Sequence, residues 1–443
     1  YADDLGWGDL ACYGHEEFKT PNLDRMAQQG ARLTNFYASC PYCAPSRASL
    51  MTGRYPFRCG MFSNPCPIDD PANSGKNAMD RHRMHLPTDE ITLAQLFKQA
   101  GYATSCVGKW HLGHEKKEYY PTHRGFDEYL GILYSNDMHP VELIDGEKVV
   151  EFPLDQTTIT KRYTERALKF ITANREKPFF LYFPHAMPHK PLAASPDFYK
   201  KTGTNLYGDT IAEVDWSVGQ ILKKLKELDI DNHTAVFFSS DNGPWYGGSS
   251  GGLRGMKAQW WEGGIRVPLI ARLPGKIPAG HVSDQPAIIM DVFVTAAKLA
   301  GLELPEDVVY DGRDILPLLS GDAKSPHDAL FSYRDRVRSV RAGDWKLHVA
   351  GTPGPDGRPT NWVDPRAPNG KTLIAPPEQF GPKDFPGVKT GDRSSKPALF
   401  NLADDPSEQK NVAEDHPEIV ARLLKQAQAM QRVDAEARQR LAP

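Results

Sequence analysis

Short apolar strands alternate with helices along the first three-quarters of the sequence, and this alternation limits the possible folds more than any other feature. The segments 178–183 and 235–239 are almost continuously apolar. The segments 160–173 and 209–228 carry apolar residues at the spacing of a helix. A strand that is apolar on both sides must be covered on both sides, so the pattern predicts an α/β fold. We expect a large mixed, mostly parallel sheet sandwiched by helices.

The character of the sequence changes near residue 326. Three segments there have the pattern of short strands joined by turns, at 329–333, 339–341 and 345–349. Residues 352–397 are rich in proline and lack periodicity, which predicts a long loop or an insertion. Residues 418–441 have the pattern of a closing helix. We expect a catalytic domain at 1–325 and a small C-terminal α+β subdomain at 326–443, with an antiparallel sheet and a terminal helix.

The charge balance excludes some classes of partner. The chain has 53 Lys and Arg residues and 56 Asp and Glu residues, so its formal net charge is −3. Such a chain has no general attraction for nucleic acid or for an anionic membrane. No apolar run reaches the roughly 20 residues that a membrane-spanning helix needs. The sequence shows no leader and opens without Met, which predicts that the true N-terminus is missing; the oligomeric state stays open.

Six cysteines in 443 residues are too few for a disulfide scaffold, and all lie in the first quarter of the chain. Their clustering fits one or two local disulfides, or one reactive cysteine with bystanders, and leaves the redox compartment open. The positions are Cys12, Cys40, Cys43, Cys59, Cys66 and Cys106.

The residues around Cys43 predict an anion site at the start of a helix. Residues 43–54 read Cys-Ala-Pro-Ser-Arg-Ala-Ser-Leu-Met-Thr-Gly-Arg, with a proline early in the helix. Free backbone amides and the helix dipole favour an anion there, and Arg47 adds a planar guanidinium within one turn. If the cysteine is considered without its neighbours, the alternative to an anion site is an ordinary buried side chain beside the start of a helix.

Acidic residues stand where two strands end. Asp3 and Asp4 lie at the end of a first strand, and Asp241 and Asn242 follow the strand at 235–239. Ligands of α/β sheets bind outside the carboxyl ends of strands. Three carboxylates and one amide oxygen suit a hard divalent cation such as Ca²⁺ or Mg²⁺. The alternative for each pair alone is an ordinary turn.

Cationic side chains follow further strands. Gly-Lys-Trp-His-Leu-Gly occupies 108–113, a loop with two histidines occupies 184–191, and Gly-Met-Lys at 255–257 precedes Glu-Gly-Gly-Ile-Arg at 262–266. Each segment alone is typical of a solvated loop. The candidate residues in these segments are Lys109, His111, His185, His189 and Lys257.

Together these motifs resemble the type I, formylglycine-dependent sulfatases of the alkaline-phosphatase-like superfamily. The resemblance covers nearly the whole chain and is greatest to the branch of arylsulfatase A and N-acetylgalactosamine-6-sulfatase. Cys-x-Pro-Ser-Arg with Leu-x-Thr-Gly-Arg is similar to the signature at which a formylglycine-generating maturation enzyme oxidises the cysteine. The resemblance implies that Cys43 becomes formylglycine. It also implies that Ca²⁺, or else Mg²⁺, is held by Asp3, Asp4, Cys43, Asp241 and Asn242.

The resemblance implies a sulfuric ester hydrolase whose nucleophile is the hydrate of formylglycine at position 43. In that scheme Asp241 is the base for attack on sulfur, and His189 with Lys257 protonates the leaving alcohol. His111 then helps to release sulfate. The resemblance gives no role to His185, which lies in the same loop as His189. The expected catalytic residues are Cys43, Arg47, Lys109, His111, His189, Lys257 and Asp241.

The expected substrate is a sulfated carbohydrate of glycosaminoglycan or algal galactan type. Candidate substrate-binding residues are Ser135, Asn136, Asp137 and His139. Candidate aromatic and loop contacts are Trp245, Tyr246, Trp260, Trp261, Trp362 and Arg366. The alternatives are a phosphonate monoester or phosphodiester hydrolase of the same superfamily, and an inactive protein that binds sulfated glycans. The resemblance implies a periplasmic or extracellular location, or a lysosomal one in an animal.

Overall fold

The computed structural model describes residues 1–70, 73, 77–245, 247–353 and 394–441. The strands in chain order are β1 (Ala31–Tyr37), β2 (Ala103–Lys109), β3 (Glu128–Ile132), β4 (Leu143–Asp145), β5 (Lys148–Glu151), β6 (Phe179–Tyr182), β7 (Val236–Ser239), β8 (Arg266–Arg272), β9 (His281–Ser283), β10 (Ala287–Ile288), β11 (Leu330–Tyr333), β12 (Val337–Ala342), β13 (Trp345–His348) and β14 (Ala398–Asn401).

The helices in chain order are α1 (Pro21–Gln28), α2 (Cys43–Thr52), α3 (Ala78–Arg83), α4 (Leu93–Gln99), α5 (Ile159–Ala173), α6 (Leu206–Glu227), α7 (Glu262–Ile265), α8 (Met290–Leu299), α9 (Leu316–Ser320) and α10 (Pro417–Leu441). The predicted segments at 160–173, 209–228 and 418–441 therefore coincide with helices, with ends that differ by a few residues.

Two mixed sheets of five strands form the centre of the larger domain. One has the order β10-β1-β8-β7, with β9 also paired to β1, and the other has the order β5-β4-β3-β2-β6. β2 runs parallel to β3 and β6, whereas β8 is antiparallel to both of its neighbours, β1 and β7. The expected mixed α/β class is confirmed.

The first two residues join the two sheets at their carboxyl ends. The backbone nitrogen of Tyr1 donates to the Phe183 carbonyl at 3.0 Å, and the amide of Ala2 donates to the Ser239 carbonyl at 2.8 Å. Further along the strands, an apolar cavity of about 760 Å³ separates β6 from β7. The shared edge brings the acidic pair that follows Ala2 beside the residues that follow β7.

Helices cover both faces of these sheets. α2, α4 and α8 pack against one another on one face, and α1, α5 and α6 form the layer on the other. The helix expected at 209–228 begins earlier, at Leu206, and Asn205 accepts the cap hydrogen bond from Gly208 at 2.8 Å. Asp209 accepts from the amides of Lys200 and Thr202. This carboxylate therefore holds the turn that precedes the helix.

The C-terminal subdomain contains the expected antiparallel sheet and terminal helix. Its strands pair in the order β11-β12-β13-β14, and α10 packs on β12. Most of the segment 352–397, with Trp362 and Arg366, lies outside the described residues, as does Tyr246.

Two further expectations concern covalent and membrane features. None of the six cysteines is in a disulfide, so the structure does not bear out the local bridges. Among the helices that the structure describes, none is long and apolar enough to cross a membrane.

Candidate active site

Cys43 begins α2 at the edge where the two sheets meet. Every residue of α2 is buried, and the helix ends at Gly53, which takes a left-handed φ of 69°. The Tyr42 side chain makes no cap hydrogen bond. Instead, the side chain of Asn64 accepts from the Ala44 amide at 3.0 Å. Burial raises the pKa of the Cys43 thiol well above its usual value, so the unmodified side chain is a neutral thiol.

Asp3 is held by two cations. Lys109 Nζ lies 2.5 Å from Asp3 Oδ2, and Arg47 Nη2 lies 3.5 Å from Asp3 Oδ1. Burial alone would raise the pKa of the Asp3 carboxyl, but the charges of Lys109 and Arg47 outweigh burial and lower it to about 2. Asp3 is therefore ionised in the folded protein.

Asp4 lies between Lys257, Asn242 and His189. Lys257 Nζ is 2.8 Å from Asp4 Oδ1, the Asn242 amide donates to the same oxygen at 2.8 Å, and His189 Nε2 is 3.5 Å from Asp4 Oδ2. Burial raises the pKa of the Asp4 carboxyl to about 7, because Lys257 offsets only part of the cost of desolvation. Asp4 has a positive φ of 61°, uncommon for a residue other than glycine.

Asp241 is oriented by Arg47 in a two-point contact. Arg47 Nε and Nη2 donate to Asp241 Oδ2 at 3.0 and 2.8 Å. The Asp4 amide donates to Asp241 Oδ1 at 3.1 Å. Burial, followed by the charge of Asp3, raises the pKa of the Asp241 carboxyl. The guanidinium thus ties the carboxylate after β7 to the helix that carries Cys43.

The donor atoms fit a divalent cation. Candidate ligand atoms of Asp3, Asp4, Cys43 and His189 all lie within 4.8 Å of one another. Asp3 Oδ1 and Asn242 Oδ1 are buried and have no hydrogen-bond partner among the described residues. A buried oxygen without a partner is costly in a folded protein. A hard cation would satisfy both oxygens. Asp3, Asp4 and Cys43 in this group are three of the five expected ligands. His189, the fourth member of the group, was not expected as a ligand.

The tautomers of His189 and His111 follow from their contacts. The Nδ1 of His189 donates to the Lys190 carbonyl at 2.5 Å, which leaves Nε2 as the acceptor that faces Asp4 and Ser135. His111 Nε2 donates to the Pro65 carbonyl at 3.1 Å, and its buried Nδ1 has no partner among the described residues. Burial lowers the pKa of both imidazoles well below the usual value, so both are neutral here.

His185 is separated from this group. It is buried where β6 ends, its amide donates to the Tyr1 carbonyl, and its ring lines the apolar cavity. Neither ring nitrogen has a partner among the described residues, and burial lowers the pKa of the imidazole to about 3. Of the two histidines in this loop, only His189 faces the carboxylates.

Ser135 is the candidate substrate residue that lies nearest the cations. Its hydroxyl is 3.1 Å from Lys109 Nζ and 3.3 Å from His189 Nε2. Asn136 is fully buried, and its amide donates to the carbonyls of His189 and Pro191. Ser135 can therefore contact a ligand, whereas Asn136 holds the histidine loop.

The remaining candidate substrate contacts differ in how far they are buried. Asp137 and His139 are half-buried, as are Trp245 and Trp260. Trp261 is 2% exposed and packs with Phe400 of β14, so it belongs to the core between the subdomains.

Sequence reasoning did not identify Asn64 or Gln156. Asn64 caps α2 from a separate loop, and Gln156 exchanges hydrogen bonds with Asn136 at 2.8 and 3.1 Å. Neither residue lies in a local motif, so the sequence offered no signal for them.

Comparisons with known proteins agree with this geometry. Residues 1–302 match the Sulfatase family model, and residues 325–442 match the model for the C-terminal region of aryl-sulfatase. N-acetylgalactosamine-6-sulfatase of Canis lupus familiaris is 40% identical over 373 residues, covering 78% of this chain and 70% of the relative. Steryl-sulfatase of Homo sapiens is 37% identical over 419 residues, covering 75% and 71%.

Solved structures extend the comparison over the whole chain. A sulfatase from a study of glycosaminoglycan metabolism by Bacteroides thetaiotaomicron has a TM-score of 0.79 at 27% identity and covers 97% of this chain and 98% of its own. Ps i-CgsB, bound to a neocarrahexaose, has a TM-score of 0.76 at 26% identity, covering 97% and 91%.

A phosphonate monoester hydrolase of Agrobacterium radiobacter shares the fold, with a TM-score of 0.63 at 18% identity, covering 98% and 94%. Neither that activity nor an inactive glycan-binding role is favoured, because the family model and the nearer relatives are sulfatases. The chain belongs to the sulfatase family and is a sulfuric ester hydrolase with an alkaline-phosphatase-like fold.

Proposed function

We propose that this sulfatase releases sulfate from a sulfated amino sugar or galactose of glycosaminoglycan or galactan type, with 6-sulfated N-acetylgalactosamine as the first candidate. The observation that carries the proposal is the buried arrangement of Arg47, Lys109 and Lys257 around three carboxylates beside Cys43. The 40% identity to an N-acetylgalactosamine-6-sulfatase supports the choice of sugar.

The charges explain why a metal is needed for sulfate binding. Three cationic side chains face three carboxylates, so the protein groups alone give little net attraction for an anion. A divalent ion would supply the excess positive charge and polarise a sulfate oxygen. We assign it to Asp3, Asp4, Asp241, Asn242 and the side chain at position 43. Ca²⁺ is the first choice because most of the donors are oxygens and Ca²⁺ accepts irregular arrangements of them; Mg²⁺ is the alternative.

The side chain at position 43 is proposed to be formylglycine, produced by a maturation enzyme. The buried neutral thiol of unmodified Cys43 is a poor nucleophile, and the sequence signature matches the one that family members oxidise. Once hydrated, the aldehyde would supply a hydroxyl nucleophile for the sulfur atom.

Six side chains then handle protons and charge. Asp241, whose pKa is raised, accepts the proton of the attacking hydroxyl. Arg47 holds Asp241 in place, and Lys109 binds sulfate oxygens from the side of Ser135. An anionic substrate among these groups raises the pKa of His189, so that the imidazolium can protonate the leaving alcohol with help from Lys257. His111 Nδ1 would accept the proton of the second hydroxyl at position 43 as the C=O bond re-forms and sulfate departs.

The residues around Ser135 are assigned to substrate recognition. Ser135 contacts the sulfate, and the half-buried Asp137 and His139 contact sugar hydroxyls at the mouth of the site. Asn136 acts by holding the loop of His189. We also propose export to the periplasm or the cell exterior, or to the lysosome in an animal, which fractionation of the source cells tests.

The experiment measures sulfate release by the protein. Mass spectrometry first confirms that the peptide containing position 43 carries the aldehyde. Substrates are N-acetylgalactosamine 6-sulfate, galactose 6-sulfate, glucosamine sulfates, a steryl sulfate, an aryl sulfate and an aryl phosphonate monoester. Higher kcat/KM on a 6-sulfated galacto sugar than on the steryl sulfate supports the proposal. Preference for the steryl sulfate, which the 37% identical relative suggests, would contradict the sugar assignment.

A further inference from the structure

We propose that Glu408, a residue of the C-terminal subdomain, is a positioning residue for Lys257. The inference rests on the proposed role of Lys257 in the reaction. Glu408 is fully buried and lies far along the chain from the catalytic motifs. It makes the C-terminal subdomain part of the catalytic apparatus, although that subdomain provides none of the assigned catalytic residues.

Glu408 holds both ends of the segment that carries Lys257. This segment, residues 254–262, is called the Lys257 segment below. Glu408 Oε2 accepts from the Glu262 amide at 2.6 Å, and the Glu408 carbonyl accepts from Arg254 Nη1 at 2.7 Å. A single residue therefore contacts both ends of the segment.

The Lys257 segment is a closed loop with its tip at the active site. Its base is closed by the Gly263 amide, which donates to the Arg254 carbonyl at 2.7 Å. At the tip, the Lys257 amide donates to the Pro244 carbonyl and the Ala258 amide donates to the Pro41 carbonyl, both at 2.9 Å. The tip is thus bonded to the chain just before Cys43 and just after Asn242.

Glu408 is itself fixed by buried charges. Its Oε1 lies 2.7 Å from His348 Nε2 and 3.1 Å from Lys346 Nζ, and Lys346 Nζ also lies 2.9 Å from Glu262 Oε1. These side chains are almost completely excluded from solvent. Removing one member of a buried ionic group leaves the others unpaired, so the geometry is strongly defined.

The alternative is that Glu408 only joins the two subdomains. A double-mutant cycle separates the two roles, because a residue that acts through Lys257 has no further effect once Lys257 is absent. The variants are Glu408→Gln, Lys257→Met and the pair. His327→Gln is the matched control, since His327 Nε2 pairs with Asp291 of α8 at 2.9 Å and joins the subdomains without contacting the Lys257 segment.

We expect Glu408→Gln to lower kcat on an aryl sulfate by roughly 10- to 100-fold, as displaced catalytic groups do, and to change kcat by less than about twofold in the Lys257→Met background. His327→Gln should have the same effect in both backgrounds. Equal losses from Glu408→Gln in the two backgrounds, or no loss with Lys257 present, would overturn the proposal.

Two further measurements keep the test decisive. If the Lys257→Met protein turns over too slowly, the same cycle is measured as the Kd of inorganic sulfate for the Cys43→Ala protein. If Glu408→Gln does not fold, Arg254→Gln replaces it, because it removes the contact of Arg254 with the Glu408 carbonyl. The unsubstituted enzyme is assayed on the aryl sulfate and the sugars in parallel. A wrong sugar assignment therefore appears in its substrate preference and leaves the cycle interpretable.

Discussion

The ammonium group of Lys257 lies 2.8 Å from the Asp4 carboxylate, although 253 positions separate the two residues in the chain. Asp4 is at the edge where the sheets meet, and Lys257 arrives on a loop after β7. Burial and the Asp4 charge act in opposite directions on Lys257, and the net result raises the pKa of its ammonium group well above the usual value. Lys257 is therefore a fixed cation, paired with Asp4, near the start of α2.

Replacing Lys257 with Met should reduce turnover strongly and stability only slightly. The substitution removes a cation that faces the sulfate and the leaving group, so we expect kcat to fall by roughly 10²- to 10⁴-fold. Asp4, with a pKa already near 7, can take up a proton when its partner is gone. Steady-state kinetics at pH 7 and urea unfolding measure the two effects. Lys223→Met, at an exposed lysine of α6, is the control; a loss below tenfold at Lys257 would contradict the assignment.

Replacing Cys43 with Ala should abolish turnover and leave the fold intact. Alanine occupies less volume than cysteine and cannot be oxidised to the aldehyde, so the nucleophile is lost. Since Cys43 is buried at the first position of α2, we expect a change of no more than about 2 kcal/mol in the free energy of unfolding. Sulfate release and thermal unfolding are measured together. Retention of even a few per cent of kcat would be incompatible with a nucleophile at this position.

The sequence could predict that the side chains of the candidate site come together, because they follow strands or begin a helix; their catalytic roles stay predictions. Lys109 ends β2 and Asp241 follows β7. The first strand expected before Asp3 is not formed, and Ala2 makes only an isolated bridge with Ser240, which still places Asp3 at the same edge. Within the loop at 184–191 the resemblance favoured His189 over His185, but the residues of the loop alone gave no basis for that preference. In the structure, the hydrogen bonds of Tyr1 with Phe183 and His185 place the first histidine beside the cavity.

The antiparallel strand β8 could not be predicted, for a physical reason. It contains Pro268, which lacks an amide proton and argues against an internal strand. The structure accommodates this residue opposite an irregularity in β1, since Leu33 pairs with Leu269 and Phe36 pairs with Val267. A bulge in another strand is a long-range feature, and nothing near Pro268 in the sequence signals it.

Chelation should inactivate the enzyme and lower its stability. The buried oxygens Asp3 Oδ1 and Asn242 Oδ1 have no hydrogen-bond partner among the described residues, so a bound ion should favour the folded state. After dialysis against EDTA we expect loss of activity and a fall in Tm, with both restored by Ca²⁺. Restoration by Mg²⁺ alone would reverse the choice of ion. Asn242→Ala should weaken the Ca²⁺-dependent rise in Tm, whereas Asn174→Ala, at the end of α5, should leave it unchanged.

Replacing Ala258 with Gly should stabilise the protein. Ala258 follows Lys257 and has a φ of 72°, a left-handed conformation that costs a residue with a Cβ atom about 1 kcal/mol or more. We expect the free energy of unfolding to rise by about 0.5–1 kcal/mol, measured with urea. The same exchange at Ala429, an exposed position inside α10, should lower it by about 1 kcal/mol. Destabilisation at both sites would show that the loop needs alanine.

The Asp9 carboxyl should make stability fall as the pH rises from about 4 to about 7. Asp9 is fully buried, and it accepts hydrogen bonds from the Tyr207 hydroxyl at 2.6 Å and from the amides of Gly6 and Ser249 at 2.5 and 2.6 Å. Burial nevertheless raises its pKa to about 7. Between the unfolded pKa of about 4 and the folded pKa of about 7, only the folded chain keeps the proton.

The stabilising contribution of this proton is complete below about pH 4 and is lost as the pH rises through about 7. The shift of about three pKa units corresponds to at most roughly 4 kcal/mol. Asp9→Asn removes the group that titrates. Between pH 5 and pH 8 the unfolding free energy of the parent should therefore fall relative to that of the variant. Urea unfolding at both pH values measures the shift. The control is Asp197→Asn, at an exposed carboxylate, whose unfolding free energy should differ from that of the parent by the same amount at both pH values. If the difference for Asp9→Asn is also independent of pH, the pKa of Asp9 is not raised.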